Sequence, residues 1–250
     1  MSGNFKIFSI EGNIGSGKST LFEKLQKMYV DTDNVIFLEE PVGLWEKIKN
    51  DRGETMLQLF YKNKDNDKNN DRNKNTKSAM DVPAKNYAFQ FQIMALSSRL
   101  AILKKAIENN KERNIIIITE RCLHTDRHVF AKMLADKLEM ESVEYQIYLN
   151  LFNTFIDDYP VNNIIYIKTS PAICHKRIHK RSRVGEEVIP LKYLEDCHLY
   201  HENFLDPIVG INTMKLLLNG NVDIFEQTSV LEDWIRQINL FIAPTAVIER

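Results

Sequence analysis

The sequence is poor in glycine and cysteine, and it lacks an excess of charge of either sign. Only 9 of its 250 residues are glycine, well below the usual fraction of about 7%. The 33 basic and 34 acidic residues leave a net charge of −1, which argues against bulk binding of nucleic acid. Three cysteines without close spacing argue against a disulfide framework and fit a reducing compartment. No apolar run approaches the roughly 18–20 residues of a membrane span, and Glu11 comes too early for a secretory signal. We therefore expect a cytoplasmic protein without membrane or nucleic-acid partners.

The pattern of apolar residues is that of an α/β protein. A chain of 250 residues with 44% hydrophobic and 27% charged residues suits one domain. Short, continuously apolar runs are typical of strands covered on both faces of a parallel sheet, and they occur at 5–10, 35–38, 115–118, 164–167 and 216–218. Helical stretches separate them, at 17–29, 84–110, 121–138, 141–158, 171–181, 190–206 and 223–241. This alternation predicts a doubly wound, five-stranded parallel sheet flanked by helices.

One polar segment interrupts this pattern. Residues 62–80 read KNKDNDKNNDRNKNTKSAM, with no apolar residue before Ala79. Such a segment cannot bury enough surface to offset the entropy lost on ordering. We interpret it as a disordered insertion within a single domain that spans residues 1–250.

Three of the nine glycines fall within six positions and belong to a phosphate-binding motif. Residues 12–19, GNIGSGKS, fit G-x-x-x-x-G-K-[ST] between a predicted strand and a predicted helix. Glycine allows backbone N–H groups to surround phosphate oxygens, and a helix N-terminus favours the same anion. Lys18 supplies a cation for the β- and γ-phosphates, and the Ser19 hydroxyl is a ligand for Mg²⁺. The predicted ATP-binding segment consists of Gly12, Asn13, Ile14, Gly15, Ser16, Gly17, Lys18, Ser19 and Thr20.

Nucleotide binding by itself leaves the reaction open, because switches, motors, transporters and kinases share this loop. The chain has no N-K-x-D motif of a switch GTPase, and it is short for a motor. A small-molecule kinase additionally needs an acceptor pocket, a base beside it and cations that cover the phosphates.

Candidate residues for the acceptor side follow two predicted strands. Glu40 lies directly after the second strand, where strand carboxyl ends form the ligand crevice of a doubly wound sheet. A carboxylate there can accept the proton of a substrate hydroxyl. Glu120 and Arg121 end the third strand at the same edge, and this pair suits a Mg²⁺ contact and phosphate orientation.

A basic cluster late in the chain has the character of a lid. Arg177 and Arg181 are four residues apart and share one face of a helix, and Arg183 follows them. A hinged cationic segment over residues 176–190 can close on the phosphates and stabilise the charge in transfer. We therefore count Arg177, Arg181 and Arg183 among the ATP-binding residues.

Together these motifs resemble the deoxyribonucleoside kinases of the deoxycytidine/deoxyguanosine kinase-like group. The resemblance rests on EGNIGSGKST (11–20), EEPVGLW (39–45), FQFQIMALSSR (89–99), ERCLHTDRHVF (120–130) and RSRVGEEVIPLKYLEDCHLYHENFL (181–205). It spans most of the chain from residue 5 to residue 205, and the joint order of the motifs is more specific than the phosphate-binding loop alone.

The resemblance implies a role for each matching residue. It implies that Glu40 is the base toward the acceptor 5′-hydroxyl, that Arg121 lies near that hydroxyl and the transferred phosphate, and that Glu120 lies near the metal. Tyr61 and Glu186 would hold the 3′-hydroxyl and help to exclude ribose. The remaining implied substrate-binding residues line the base pocket: the aromatic Trp45, Phe91 and Phe130, the amide Gln92, and the charged pair Arg99 and Asp126.

The implied reaction is transfer of the γ-phosphoryl group of Mg-ATP, or of another NTP, to a deoxyribonucleoside in nucleotide salvage. In the family that the sequence resembles, an arginine and an aspartate at these positions accompany cytosine or purine acceptors, so the resemblance implies through Arg99 and Asp126 that deoxycytidine and purine deoxynucleosides are preferred over thymidine. Two alternatives stay open: a nucleoside monophosphate kinase, and a non-catalytic regulator that binds dNTP. The resemblance also implies a homodimer formed through the helices at 84–110 and 141–158.

Overall fold

The computed structural model describes residues 5–65, 86–181, 183, 186, 188–205, 213–224 and 226–246. Five parallel strands form one sheet in the order β2-β3-β1-β4-β5. The strands are β1 (Phe5–Glu11), β2 (Val35–Leu38), β3 (Ile115–Glu120), β4 (Val161–Lys168) and β5 (Met214–Asn219). All five coincide with the apolar runs of the sequence, and the predicted fold class is confirmed.

Helices cover the sheet, in agreement with the alternating pattern. They are α1 (Lys18–Met28), α2 (Val42–Trp45), α3 (Met56–Asp65), α4 (Ala88–Glu108), α5 (Leu123–Thr125), α6 (Lys132–Asp136), α7 (Ser142–Phe155), α8 (Pro171–Arg181), α9 (Leu191–Leu205) and α10 (Thr228–Ala246). Among the helices described, none is both long enough and apolar enough to cross a membrane.

The interior strand β3 shows why its apolar run is continuous. Ile115 and Ile117 belong to a buried cluster that includes side chains of α4 and α7, such as Leu96. Ile116 and Ile118 belong to a second buried cluster, on the other face, with side chains of α1 and α10. Both faces of the strand are therefore apolar, as expected of a parallel sheet between two helical layers.

Two helices were not predicted. Helix α2 is a single turn, too short to give a periodic signal. Helix α3 buries Leu57, Phe60 and Tyr61, a spacing typical of one helix face, and this signal was missed. Helix α3 also continues to Asp65, into the segment predicted to be disordered from residue 62; residues 66–85 lie outside the described residues.

A π-helical segment, Asp126–Ala131, joins α5 to α6 where one regular helix was predicted at 121–138. Such segments are rare and occur frequently at functional sites. This one carries Asp126 and Phe130, two of the predicted base-pocket residues, so the irregular turn lies where the resemblance places the substrate.

Leu138 occupies a strained position that allows a test of stability. It follows α6 with a φ of 58° and is 88% exposed. A left-handed conformation costs an L-residue about 1–2 kcal/mol, whereas glycine adopts it freely but loses roughly 0.5–1 kcal/mol through its greater unfolded-state entropy. We expect Leu138→Gly to raise the free energy of unfolding by up to about 1 kcal/mol, measured by urea denaturation.

A matched control is Leu199→Gly, because Leu199 is also an exposed leucine but lies within helix α9. Glycine in a helix interior should lower the free energy of unfolding by about 1 kcal/mol. Equal destabilisation by both substitutions would show that the left-handed turn stores no strain.

Candidate active site

The phosphate-binding loop connects β1 to α1 through backbone conformations that favour glycine. Gly15 has a φ of +76°, and a Cβ atom there would lie 2.6 Å from the carbonyl oxygen of Cys174. Gly17 has a φ of +104° and directly precedes Lys18, the first residue of α1. The loop therefore packs closely against helix α8 and directs the N-terminus of α1 toward the nucleotide site.

Lys18 is held inside this loop. Its Nζ donates a hydrogen bond to the carbonyl oxygen of Asn13 at 2.8 Å, and the residue is only 4% exposed. Burial, assisted by the nearby Arg121 guanidinium, lowers the pKa of Lys18 to about 8. Asn13 anchors the loop, because its Nδ2 donates to the carbonyl oxygen of Leu194 at 2.8 Å.

The loop forms one end of a cavity of about 350 Å³. Of the predicted site residues, Gly12 and Asn13 lie outside the cavity lining. All the others line it together: Ile14, Gly15, Ser16, Gly17, Lys18, Ser19, Thr20, Glu40, Trp45, Tyr61, Phe91, Gln92, Arg99, Glu120, Arg121, Asp126, Phe130, Arg177, Arg181, Arg183 and Glu186. The cavity thus joins the predicted donor residues to the predicted acceptor residues.

Glu40 lies at the junction of these two regions and binds two arginines. Its Oε1 accepts hydrogen bonds from Arg99 Nη2 at 2.5 Å and from Arg121 Nη1 at 3.2 Å. Burial opposes ionisation of this carboxyl, but Arg121, Arg99 and Lys18 together lower its pKa to about 2. Glu40 is therefore an ionised hydrogen-bond acceptor throughout the physiological pH range.

Arg99 links this carboxylate to the far end of the cavity. Its Nε donates to Asp126 Oδ1 at 3.2 Å, and its Nη1 donates to the carbonyl oxygen of Glu120 at 2.7 Å. Arg99 and Asp126 were predicted to form a charged pair, but the hydrogen bond from Arg99 to Glu40 was not predicted. Burial raises the pKa of Asp126 to about 6, although Arg99 opposes the rise.

Two polar atoms near this end have no hydrogen-bond partner among the described residues. They are Gln92 Oε1 and Asp126 Oδ2, although Oδ2 is also 3.0 Å from Arg99 Nε. Both residues are 2% exposed and line the cavity. Asp126 Oδ2 is satisfied by the Arg99 charge, whereas a buried acceptor without any partner is costly, so Gln92 Oε1 indicates where a polar ligand would bind.

Aromatic rings surround the same end of the cavity. Trp45 and Phe91 meet edge to face with ring centroids 5.4 Å apart, and Trp45 Nε1 donates to Ser98 Oγ at 2.9 Å. Phe130 lies under the Arg121 guanidinium, 5.1 Å from its centre. These fixed rings form walls suited to a planar ligand.

The basic cluster on and after α8 is already engaged with protein groups. Arg177 donates to the carbonyl oxygens of Ser16 at 3.2 Å and Val222 at 2.9 Å. Arg181 and Arg183 both form ion pairs with Glu186. Tyr61, the predicted partner of Glu186, is buried in the same cavity, and burial together with the Glu186 charge raises its pKa well above the usual value. Residues 182, 184, 185 and 187 of the predicted lid lie outside the described residues.

The oxygen ligands near the loop fit a magnesium ion. Ser19 Oγ donates to Glu120 Oε1 at 2.9 Å, so a hydroxyl and a carboxylate lie side by side at the cavity wall. Within the described ranges, no three His, Cys, Asp or Glu side chains gather as a metal-binding group. A pair of protein oxygens is typical of Mg²⁺, which keeps several waters and takes further ligands from phosphates.

The sequence reasoning missed several lining residues. Tyr193 of α9 reaches the cavity, as do Val222, Asp223, Ile224 and Trp234 after β5. Lys180 of α8 also lines it; this lysine belongs to the basic cluster of the sequence but was not counted among the ATP-binding residues. The strand-end rule could have found residues 222–224, because they follow β5 at the edge where the other strand ends meet. No local signal marked Trp234, which enters the cavity through the packing of α10.

Comparison with known proteins agrees with this geometry. The family model described as deoxynucleoside kinase matches residues 8–66 and 64–243. The chain is 32% identical to deoxycytidine kinase 2 of Gallus gallus, with 79% of this chain and 72% of that protein covered. It is 28% identical to the mitochondrial deoxyguanosine kinase of Xenopus laevis, with coverages of 95% and 90%. It is 29% identical to the mitochondrial thymidine kinase 2 of Homo sapiens, with coverages of 80% and 64%. This chain is therefore a member of the deoxynucleoside kinase family.

Proposed function

We propose that this kinase transfers the γ-phosphoryl group of Mg-ATP, or of another NTP, to the 5′-hydroxyl of a deoxyribonucleoside in nucleotide salvage. The observation that carries the proposal is the position of Glu40 between Lys18 of the nucleotide loop and the aromatic end of one cavity. An ionised carboxylate at that junction can accept a hydrogen bond from an acceptor hydroxyl and take its proton as the new bond forms.

The two arginines bound to Glu40 have complementary roles in this proposal. Arg121 contacts both the proposed base and the nucleotide loop. Its Nη1 donates to Glu40, and its Nη2 donates to the carbonyl oxygen of Gly12 in the loop at 3.2 Å. It can therefore stabilise charge on the transferred group. Arg99 connects the Glu40 carboxylate to Asp126 and so fixes the base relative to the far end of the pocket.

Ser19 and Glu120 would hold Mg²⁺, which supplies neutralisation of negative charge on the β- and γ-phosphates when bound. Lys18 contributes a second positive charge from the loop. Arg181 and Arg183 would exchange their ion pairs with Glu186 for contacts to phosphate, which would free Glu186 to join Tyr61 at the sugar. Arg177 would contact the phosphates from its place against the loop.

The end of the cavity that is lined by Asp126 and Gln92 supports the proposal of an acceptor nucleoside whose base carries an amino group. Gln92 presents an acceptor oxygen without a hydrogen-bond partner among the described residues, and Asp126 presents a carboxylate that is paired on one side with Arg99. Cytosine and adenine offer an amino donor where thymine offers a carbonyl oxygen, which an Asp126 carboxylate would repel. We infer a preference for deoxycytidine and purine deoxynucleosides over thymidine. The amino-donor argument applies to deoxycytidine and deoxyadenosine, whereas guanine has a carbonyl oxygen at the same position, so the inclusion of deoxyguanosine rests on the family resemblance.

The test of the reaction is ADP release coupled to NADH oxidation, with Mg-ATP and each of the four deoxynucleosides in turn. We expect turnover only when the deoxynucleoside is present, and we expect its 5′-monophosphate as the product. Turnover with nucleoside monophosphates alone would indicate the alternative kinase, and dNTP binding without turnover would indicate a regulator. A thymidine preference would contradict the inferred base specificity.

Asp126→Asn should change which base is preferred. The asparagine amide can donate to the thymine carbonyl oxygen and loses the charge that attracts an amino group. A hydrogen bond to a charged group contributes about 1.5–3 kcal/mol, so we expect the ratio of kcat/KM for deoxycytidine to that for thymidine to fall about 10–100-fold. Asp136→Asn, outside the cavity lining, should leave this ratio unchanged. An unchanged ratio in Asp126→Asn would remove Asp126 from base selection.

We also propose a cytoplasmic homodimer. Helix α7 supports this assembly because it leaves apolar side chains exposed, at Val143, Ile147 and Phe155. These residues lie along one of the two helices through which the resemblance implies that the dimer forms. Sedimentation equilibrium of the purified chain would measure the assembly state directly.

A further inference from the structure

Three consecutive residues at the end of β1 bind the turn that carries Arg121. The carbonyl oxygen of Ile10 accepts the Arg121 backbone N–H at 3.1 Å. The Oε1 atom of Glu11 accepts the backbone N–H of Cys122 at 2.9 Å. The carbonyl oxygen of Gly12 accepts Arg121 Nη2 at 3.2 Å. On the β1 side of these three contacts, Glu11 alone uses its side chain, so a substitution at Glu11 can remove its contact without changing Arg121.

This turn needs support because Arg121 has a φ of 63°. A left-handed conformation at a residue other than glycine is costly and persists where the surrounding contacts determine it. It lies at the point where the chain leaves β3. A bond to the next peptide N–H therefore fixes the backbone from which the Arg121 side chain extends toward Glu40.

Glu11 itself is an acid that the proposed chemistry leaves without a role. The residue is completely buried. Its Oε1 also accepts a hydrogen bond from Ser9 Oγ at 2.5 Å, and its Oε2 has no hydrogen-bond partner among the residues that the structure describes. A buried carboxyl with an unsatisfied oxygen lowers stability unless something compensates, so its presence in a folded protein calls for an explanation.

We propose that Glu11 is a positioning residue for phosphoryl transfer, which holds the left-handed turn at Arg121 through the Cys122 N–H so that the guanidinium meets both Glu40 and the nucleotide loop. The residue touches neither substrate in this proposal. Because β1 continues directly into the nucleotide loop, the contact ties the acceptor-side arginine to the donor-side loop as one rigid unit. The inference rests on the role proposed above for Arg121.

The test is a double-mutant cycle between Glu11 and Arg121. Glu11→Met removes the acceptor oxygens while filling the same space, and Glu11→Gln keeps an acceptor oxygen for the Cys122 N–H. In the parent enzyme we expect Glu11→Met to lower kcat about 10–100-fold with the KM for deoxynucleoside changed less than about threefold. Glu11→Gln should keep kcat within about threefold of the parent. In an Arg121→Ala background, Glu11→Met should lower kcat no further, since it acts through Arg121.

Each result has a defined meaning. An equal loss of kcat from Glu11→Met in both backgrounds would overturn the proposal, because a general structural role is additive with Arg121. Equal losses in Glu11→Gln and Glu11→Met would overturn it as well, since charge rather than the hydrogen bond would then matter.

If Glu11→Met fails to fold by circular dichroism, Glu11→Gln is compared with Ser9→Ala, because the Ser9 hydroxyl donates to Glu11 rather than to the turn. We expect both variants to stay within about threefold of the parent kcat, and a loss of 10-fold or more in either would overturn the proposal. If Arg121→Ala has a normal kcat, the role proposed for Arg121 fails, which is a separate outcome.

Discussion

Glu40→Gln is expected to lower kcat about 100–1,000-fold, because general-base assistance typically contributes 10²–10⁴-fold. Glutamine has nearly the same shape and keeps an oxygen for Arg99 and Arg121, but it cannot take the proton of the acceptor hydroxyl. The pKa of about 2 makes Glu40 a weak base in the free enzyme. Its contribution therefore depends on the acceptor hydroxyl becoming strongly acidic as the bond to phosphorus forms.

The neighbouring Glu39 provides a matched control. Glu39 and Glu40 are adjacent in sequence, but Glu39 is exposed and does not line the cavity. Single-turnover kinetics of Glu39→Gln should match the parent, while Glu40→Gln should lose the rate of the chemical step at saturating substrate. A normal single-turnover rate in Glu40→Gln would exclude the residue as the base.

The same substitution should also have a signature in stability. A carboxyl whose pKa is lowered by folding stabilises the protein above its unfolded pKa, and that contribution is lost as pH falls. The Glu40 contribution is thus complete above pH 5 and declines toward pH 2. We expect Glu40→Gln to lower the free energy of unfolding by about 1–3 kcal/mol at pH 7, less than the loss of a fully buried ion pair. Urea denaturation should show a smaller difference as the pH is lowered.

Local sequence signals predicted the sheet and the nucleotide loop well. The run Ile115–Ile118 indicates a strand that is buried on both faces. The glycine spacing at 12–17 indicates a backbone that surrounds a phosphate group. Both signals depend only on residues that are close in sequence. Glu40 and Arg121 could be placed at one edge of the sheet because strand order places all parallel carboxyl ends together. The resemblance then supplied the base-pocket residues, which have no local signal of their own.

The contacts between these residues could not be predicted, because they join segments far apart in the chain. Arg99 bonds to Glu40, Asp126 and the Glu120 carbonyl, and this depends on how α4 packs beside β3. The left-handed backbone at Arg121 has no sequence signal either, since arginine is not a residue that favours positive φ. The engagement of Arg177 with two backbone carbonyls likewise depends on the distance between α8 and the nucleotide loop.

Lys18 should control the alkaline limit of activity. Removing a preorganised positive charge from a developing anion typically costs 10²–10³-fold in kcat, and we expect a loss of this size in Lys18→Ala. Because burial lowers the Lys18 pKa to about 8, the free enzyme loses this charge above that pH. A plot of kcat/KM for ATP against pH should therefore fall above pH 8. At saturating ATP, the phosphates favour the charged form, so the fall in kcat should occur at higher pH.

Lys18→Arg separates this explanation from others. Arginine stays charged throughout the range, so the variant should have lower kcat but no decline in kcat/KM near pH 8. Lys24→Ala, on the exposed face of α1, should keep the parent profile. Unfolding caused by deprotonation of Lys18 cannot produce this decline. A lysine whose pKa falls on folding stabilises the folded state as the pH rises from the folded pKa of about 8 to the ordinary lysine pKa of 10.5. The free energy of unfolding therefore increases over that range. A decline that persists near pH 8 in Lys18→Arg would assign it to another group and would weaken the role given to the buried lysine.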